Sequence, residues 1–267
     1  SEGNVAIEVE HTGDENTFEV KGRGELQLGV LIEQLRREGF ELSVSRPRVL
    51  YRDSFETGGR EEPMEEVVID VDDEYVGAVV EALGKRKGEM TDMRPSGGGK
   101  TRVVFLAPAR GLIGYHGQFL NQTRGTGVMS RIFHSYAPYK GSIPGRRNGV
   151  LISNAAGKSV PFALWNLEDR GVMFIGGGVD VYEGMIIGEH SRGNDLEVNP
   201  MKSKKLTNIR ASGSDEAVRL TTPRILKLEE AISYIEDDEL VEVTPQHIRI
   251  RKRLLNPHER KKESRKA

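Results

Sequence analysis

The sequence predicts an α+β fold, in which ferredoxin-like β-α-β-β-α-β units precede a mostly β domain with short helices. Three observations lead to this prediction. The chain opens with a strand–strand–helix–strand pattern, a complete strand–helix–strand–strand–helix–strand pattern follows over residues 63–139, and short strands and turns dominate beyond residue 140. The first unit lacks an initial strand and helix, so we expect the chain to begin inside a domain.

The first predicted unit covers residues 1–47. Alternating segments at 5–10 and 17–22 indicate a hairpin. The helix expected after Gly24 has one apolar face, and Gly39 is suited to end it. That face follows i, i+3, i+4, i+7 spacing through Leu28, Leu31, Ile32 and Leu35. A strand over 40–44 completes the unit.

Residues 48–62 are predicted to link this unit to the next, which covers residues 63–139. A strand at 64–72 leads to a helix for which Asp72 or Asp73 is the expected cap. A hairpin turning at "SGGG", a glycine-weakened helix and a final strand follow. The last predicted domain, residues 140–267, contains only two short helical stretches, near 160–169 and 227–235.

Composition excludes several classes of function. The chain has no cysteine, so disulfides and thiolate metal sites are excluded. Its six histidines form no zinc-hydrolase pattern, and we predict no metal site. No apolar run approaches the roughly 18 residues that a membrane span needs, and no secretory signal is recognisable. We therefore expect a cytoplasmic protein without a membrane partner.

Two glycine-containing segments imitate nucleotide-binding loops. Gly22 and Gly24 precede a helix, but Gln27 stands where a dinucleotide fingerprint needs its third glycine. The segment 154–160, "NAAGKSV", resembles the end of a phosphate-binding loop, but Ile152 occupies the earlier glycine position. We interpret both as structural turns and predict no nucleotide site.

The charges are segregated along the chain. Residues 53–92 contain thirteen acidic and four basic residues, whereas residues 93–167 contain ten basic and no acidic ones. A second acid-free run covers 199–212, and the tail from Gln246 is strongly basic. Lys and Arg clusters gain affinity for polyanions by releasing condensed counterions, which indicates a nucleic-acid partner. A solvated basic face without a partner remains the alternative.

Longer motifs carry a family resemblance. Residues 22–52, "GRGELQLGVLIEQLRREGFELSVSRPRVLYR", resemble the third domain of translational GTPases. Residues 62–90 and 109–139, including "ARGLIGYHGQFLNQTRGTG", resemble the fifth domain of elongation factor G, without the fourth domain that would separate these two. The stretches "NDLEVNPMKSKKLTNIRASGSDEAVRL" and "DDELVEVTPQHIRIRKR" resemble the C-terminal domain particular to the BipA/TypA GTPases.

This resemblance implies a C-terminal fragment of a ribosome-associated GTPase. GTP and Mg²⁺ would bind an upstream domain, so no enzymatic activity and no cofactor are expected here. The implied partners are the ribosome, chiefly large-subunit rRNA and the stalk base, and the acceptor end of the A-site tRNA. The implied role is in ribosome assembly and in stress and cold adaptation.

The candidate RNA-binding residues are basic side chains in three segments, and we predict no catalytic residue. For each segment, a solvated surface is the alternative. Tyr115 and His116 could stack on a base, although packing within the fold is favoured. The RNA-binding candidates are Lys202, Lys204, Lys205 and Arg210, then Arg146 and Arg147, then Arg249, Arg251, Lys252 and Arg253.

Two other functions stay open on the sequence. The acidic segment 53–92 could be the working surface of a protein-interaction scaffold. A small phosphatase of the acylphosphatase kind could use the ferredoxin-like scaffold, although no convincing set of phosphate-binding residues is found.

Overall fold

A computed structural model describes residues 7–14, 16–54, 58–202 and 219–265. It confirms the α+β class and divides the chain into two compact units. The central unit is Pro47–Gly145, and the composite unit combines Ser1–Arg46 with Arg146–Ala267. Among the helices in these described ranges, none is long and apolar enough to cross a membrane.

The strands and helices of the described residues are numbered in chain order. The strands are β1 (Glu8–His11), β2 (Phe18–Lys21), β3 (Leu42–Ser45), β4 (Arg52–Asp53), β5 (Arg60–Asp72), β6 (Glu89–Gly97), β7 (Lys100–Pro108), β8 (Val128–Pro138), β9 (Val150–Ser153), β10 (Gly157–Lys158), β11 (Gly171–Met173), β12 (Asp180–Val181), β13 (Met185–His190), β14 (Leu196–Val198), β15 (Glu239–Val243) and β16 (Ile248–Lys252). The α-helices are α1 (Glu25–Arg37), α2 (Val76–Lys85), α3 (Ala109–Leu112), α4 (Tyr115–Gln122), α5 (Pro161–Glu168), α6 (Leu228–Tyr234) and α7 (Pro257–Glu263).

The central unit has the order of elements that its sequence predicts. In its antiparallel sheet β7 and β8 flank β5, β6 lies beyond β7, and the short β4 pairs with the start of β5. Alternate residues of β5 and β7 face the helices, which buries a continuous apolar core. That core includes Val67, Ile69, Val71, Val103, Phe105, Leu83, Tyr115 and Phe119.

Two details of the central unit differ from the prediction. Neither Asp72 nor Asp73 caps α2, because a 3-10 turn over Asp73–Tyr75 moves the start of the helix to Val76. The Asp72 carboxylate instead accepts a hydrogen bond from the hydroxyl of Thr126 at 2.6 Å. The glycine-weakened helix is divided into α3 and α4 at Gly114, which has a left-handed φ of 73°.

The composite unit joins both ends of the chain in one sheet, with strand order β14-β9-β13-β16-β15-β3 and β11 on β13. We predicted residues 1–47 and 140–267 as separate domains, yet β3 pairs antiparallel with β15. Ile32 of α1 and Val44 of β3 pack on the core around Ile232 and Val241. Helix α1 and β3 thus share one sheet and one core with residues from the carboxyl end of the chain.

Local predictions at the amino end of the composite unit are confirmed. Strands β1 and β2 form the expected hairpin. Helix α1 ends next to Gly39, whose φ is 97°.

Helix α7, near the carboxyl end, was not predicted, although the sequence contains a helix-start signal. Asn256 accepts the His258 N–H at 2.8 Å, and Pro257 occupies the first helical position.

The first glycine segment is a bend before α1, whereas the second contains a short strand where a turn was predicted. The N–H of Arg23 donates to Oε1 of Gln27 at 2.7 Å, so a side chain of α1 occupies the corner before its first turn. In the second segment, Gly157–Lys158 form strand β10. The N–H groups that follow are also engaged, because Ser159 donates to Val179 and Val160 donates to Pro200, both at 2.9 Å.

Candidate nucleic-acid interface

The charge segregation of the sequence is cancelled in the central unit by strand pairing. Arg102 of β7 donates to both carboxylate oxygens of Asp70 on β5, at 2.9 and 2.7 Å. Arg131 of β8 forms the same bidentate pair with Glu65 of β5, with hydrogen bonds of 2.8 and 3.2 Å. The hydrogen bonds from Arg102 outweigh desolvation and lower the pKa of Asp70. Acidic and basic runs thus neutralise one another across the sheet.

A buried ion pair between Glu62 and Arg110 also joins an acidic and a basic residue of the central unit. Glu62 is fully buried, and its carboxylate accepts hydrogen bonds from the guanidinium of Arg110 and from the N–H of Lys140. The guanidinium of Arg110 also lies over the ring of Tyr139, at 4.5 Å from its centroid. These groups hold the end of β8 against β5.

Arg146, a predicted RNA-binding residue, is part of the interior of the composite unit. Its guanidinium donates to both oxygens of Glu239, at 2.9 and 2.8 Å, and lies 4.5 Å from the ring centroid of Tyr234. Its backbone N–H donates to Glu236 at 2.6 Å. Only 12% of its side chain is exposed. The Arg146 guanidinium, which could otherwise bind a phosphate, is thus bound to Glu239. The neighbouring Arg147 is exposed.

Lys252 is buried and contacts the same glutamate. Its ammonium lies 3.0 Å from Glu239, 2.8 Å from Asp238 and 2.7 Å from Asp195. Burial alone would lower the pKa of Lys252, but the three carboxylates outweigh it and raise the pKa, so the side chain stays charged. Arg146, Glu239 and Lys252 form one buried ionic network, which we call the Glu239 network.

The remaining cations of β16 and its end are placed differently. Arg249 and Arg251 are half-buried, while Arg253, just beyond the strand, is exposed and pairs with Glu263 of α7 at 2.8 Å. Strand β15 explains the engagement of this segment, because its register sets Glu239 opposite Lys252 and Glu242 opposite Arg249. Of the three arginines predicted to form a basic strand face, Arg249 therefore lies opposite an acid, whereas Arg251 lies opposite Leu240.

The basic loop predicted at 199–212 is described only at its start. Lys202 is exposed, whereas Lys204, Lys205 and Arg210 lie outside the described residues. The preceding chain is anchored by backbone hydrogen bonds of 2.9 Å, from Asn154 to Val198 and from Val160 to Pro200. We call residues 198–202 the first stem.

The described chain resumes at residue 219, and its first residues bond to the other end of α5 and to β11. The Thr221 N–H donates to Oε1 of Glu168 at 2.7 Å, and the Arg224 N–H donates to the carbonyl of Met173 at 2.9 Å. We call residues 219–224 the second stem. The two stems therefore attach to opposite ends of one helix, since Val160 precedes α5 and Glu168 is its last residue.

Three further cations belong to this part of the composite unit and were not predicted as site residues. Lys158, Arg170 and Arg219 are exposed, and their side chains form no hydrogen bond or ion pair with the residues that the structure describes. Lys158 ends β10, Arg170 follows α5, and Arg219 opens the second stem. Lys158 lies in the acid-free run 93–167, which indicated a polyanion partner, but the segment 154–160 that contains it was interpreted only as a turn.

Tyr115 packs within the fold, as favoured from the sequence. Its side chain is fully buried, and burial raises its pKa to about 12. The guanidinium of Arg86 lies over its ring at 5.1 Å from the centroid. His116 is exposed beside it. In the described ranges, no group of three or more His, Asp or Glu side chains is arranged to hold a metal ion.

Comparisons with known proteins identify the family. Residues 60–147 match the elongation factor G C-terminus, and residues 148–257 match the TypA/BipA C-terminal domain. Over 263 residues, which is 98% of the chain, the sequence is 55% identical to the large ribosomal subunit assembly factor BipA of Haemophilus influenzae. The chain belongs to the BipA/TypA family. It is 53% identical to the family members from Salmonella typhimurium and Escherichia coli K12, and it spans only 42–43% of the length of these relatives.

Proposed function

We propose that this chain is the ribosome- and RNA-binding part of a BipA-like translational GTPase, whose GTP hydrolysis depends on a domain outside these residues. The observation that carries the proposal is the division of the cations in the composite unit. Arg146 and Lys252 bind carboxylates within the buried Glu239 network. Other cations near the stems and the ends of α5 are exposed and form no ion pair among the described residues: Lys158, Arg170, Lys202 and Arg219. Exposed cations of this kind bind phosphates.

The proposed partners are large-subunit rRNA, the stalk base and the acceptor end of an A-site tRNA. The printed name of the relatives, large ribosomal subunit assembly factor, supports the large subunit as the target. Lys202, Lys204, Lys205 and Arg210 would supply most phosphate contacts, with Arg147 and Arg253 as exposed additions. A role in subunit assembly under stress and in the cold remains part of this proposal.

The two alternative functions have less support. An acidic scaffold surface at 53–92 would be reduced by ion pairing, because the carboxylates of Glu62, Glu65 and Asp70 bind arginines. A phosphatase would need a placed arginine with a companion asparagine, and ion pairs already engage Arg102, Arg110 and Arg131. Hydrolysis of a generic acyl phosphate by the purified chain would favour the phosphatase.

Co-sedimentation with isolated ribosomal subunits tests the proposal. We expect the chain to pellet with large subunits at low salt, with log K falling linearly as log salt rises. Small subunits are the matched control, because they present rRNA of the same charge density. Equal binding to both subunits, or binding that salt leaves unchanged, would contradict the proposal, and the latter result would favour a protein-binding scaffold.

A further inference from the structure

Helix α5 presents an aromatic pair, the exposed Trp165 and the half-buried Phe162, on the face that turns away from the core. Ala163 and Leu164 are buried beneath it, whereas Trp165 is 49% exposed. The ring of Phe162 lies one turn before Trp165, with 6.3 Å between the ring centroids. The two rings together form one aromatic surface, and its indole half is open to a ligand.

The aromatic pair lies between the anchor points of the two stems. The first stem bonds to Val160, about 8 Å along the helix axis from Trp165, and the second bonds to Glu168, about 5 Å away in the other direction. Glu168 uses a carboxylate oxygen to accept the Thr221 N–H.

Cations accompany the pair in the same part of the unit. Lys158 is two residues before the first anchor point, and Lys202 and Arg219 belong to the stems themselves. All three are exposed and unpaired among the described residues, while the exposed acids Asp169 and Asp180 are fewer. With the exposed Arg170 after α5, exposed cations outnumber exposed acids in this part of the unit, which favours a polyanionic ligand.

We propose that Trp165 and Phe162 form a stacking platform for an unpaired RNA base, with the stem cations holding the adjoining phosphates. This inference rests on the proposed RNA-binding function and gives it a specific ligand, single-stranded rather than duplex RNA. Aromatic faces beside a positively charged surface are the means by which proteins bind unpaired nucleotides without sequence preference. Two rings on one helix offer little area to a protein partner, which favours a base.

The test measures binding of a labelled single-stranded oligoribonucleotide to the whole chain by fluorescence anisotropy. Trp165→Ala is expected to weaken binding about 5- to 150-fold, the range found for losing one stacked base. Trp165→Phe should retain most of the affinity, which shows that the ring and not the indole nitrogen matters. The slope of log K against log salt should be unchanged in Trp165→Ala, because no phosphate contact is removed.

Three controls make the result specific. Phe133→Ala removes another exposed ring, 60% accessible in the central unit, and should leave RNA affinity unchanged. A duplex of the same sequence should bind wild type and Trp165→Ala equally, since its bases are not free to stack. Trp165 is the sole tryptophan of the chain, so quenching of its emission by RNA reports the contact directly.

The outcomes separate this inference from the function on which it rests. Equal affinity of wild type and Trp165→Ala for single-stranded RNA, without quenching, overturns the stacking platform while leaving ribosome binding intact. Failure to bind single-stranded RNA at any salt also overturns it, whatever the subunit sedimentation shows. Reduced sedimentation of Trp165→Ala with unchanged RNA affinity would place the ring against a ribosomal protein instead.

Discussion

Replacing Glu239 with glutamine is expected to lower the free energy of unfolding of the composite unit by about 3–5 kcal/mol. The carboxylate is fully buried and accepts hydrogen bonds from Arg146, Lys252 and the Glu236 N–H. Its neutral replacement has nearly the same shape, and Lys252 keeps its contacts with Asp195 and Asp238. The buried guanidinium of Arg146 loses the carboxylate that binds it, and this uncompensated charge is the cause of the loss.

The measurement is urea unfolding followed by emission of Trp165, which lies in the composite unit and reports on it alone. Glu263→Gln is the matched control, because it removes the same charge from the Arg253 pair, whose side chains are 52% and 50% exposed. That variant should lose less than about 1 kcal/mol. Equal effects of the two substitutions would mean that the Glu239 network does not stabilise the unit.

The same network gives a pH dependence of defined sign. Burial alone would raise the pKa of Glu239, but the hydrogen bonds from Arg146 and the charge of Lys252 outweigh it and lower the pKa below 4.5. Its contribution is therefore complete above about pH 4.5 and is lost as pH falls through the pKa of the folded state. The difference between wild type and Glu239→Gln should be constant near neutrality and shrink in acid.

Replacing Lys202, Lys204, Lys205 and Arg210 together with alanine is expected to have the largest effect on binding to large subunits. Each phosphate contact that is lost should flatten the slope of log K against log salt by up to about 0.9. The four side chains together could thus reduce it by roughly 3.6. The measurement is co-sedimentation at several salt concentrations, with slopes compared between variant and wild type.

A control variant with the same change in net charge is available on this chain. Arg23, Arg37, Lys261 and Lys262 are exposed and lie outside the predicted contact residues, so their replacement with alanine should alter the slope much less. If the control flattens the slope as much as the loop variant does, net charge and not the loop determines binding. An unchanged slope in the loop variant would remove this loop from the interface.

Short-range features of this fold could be predicted from the sequence. The apolar spacing of α1 and its glycine stop locate that helix, because both signals act within a few residues. The alternation in β5 through β8 likewise gave the order of elements in the central unit. Helix α7 could also have been predicted, because Asn256 is a favoured N-cap residue and Pro257 is favoured at the first helical position.

The partners of the charged residues could not be predicted in this way. Arg146 and Glu239 are 93 residues apart, and only the arrangement of strands brings them together. The same holds for Glu62 and Arg110, 48 residues apart. A basic run in a sequence therefore does not distinguish cations that bind a ligand from cations that hold the fold. Arg146 and Lys252 belong to the second kind.

Lysine reactivity tests this division of the cations most directly. The chain, free and bound to large subunits, would be treated with an acylating reagent, and modification at each lysine measured by mass spectrometry. We predict that Lys158, Lys202, Lys204 and Lys205 lose reactivity on binding, that Lys252 is unreactive in both states, and that Lys261 is unchanged. Retained reactivity at the first four, with protection appearing at Lys261 instead, would contradict the account.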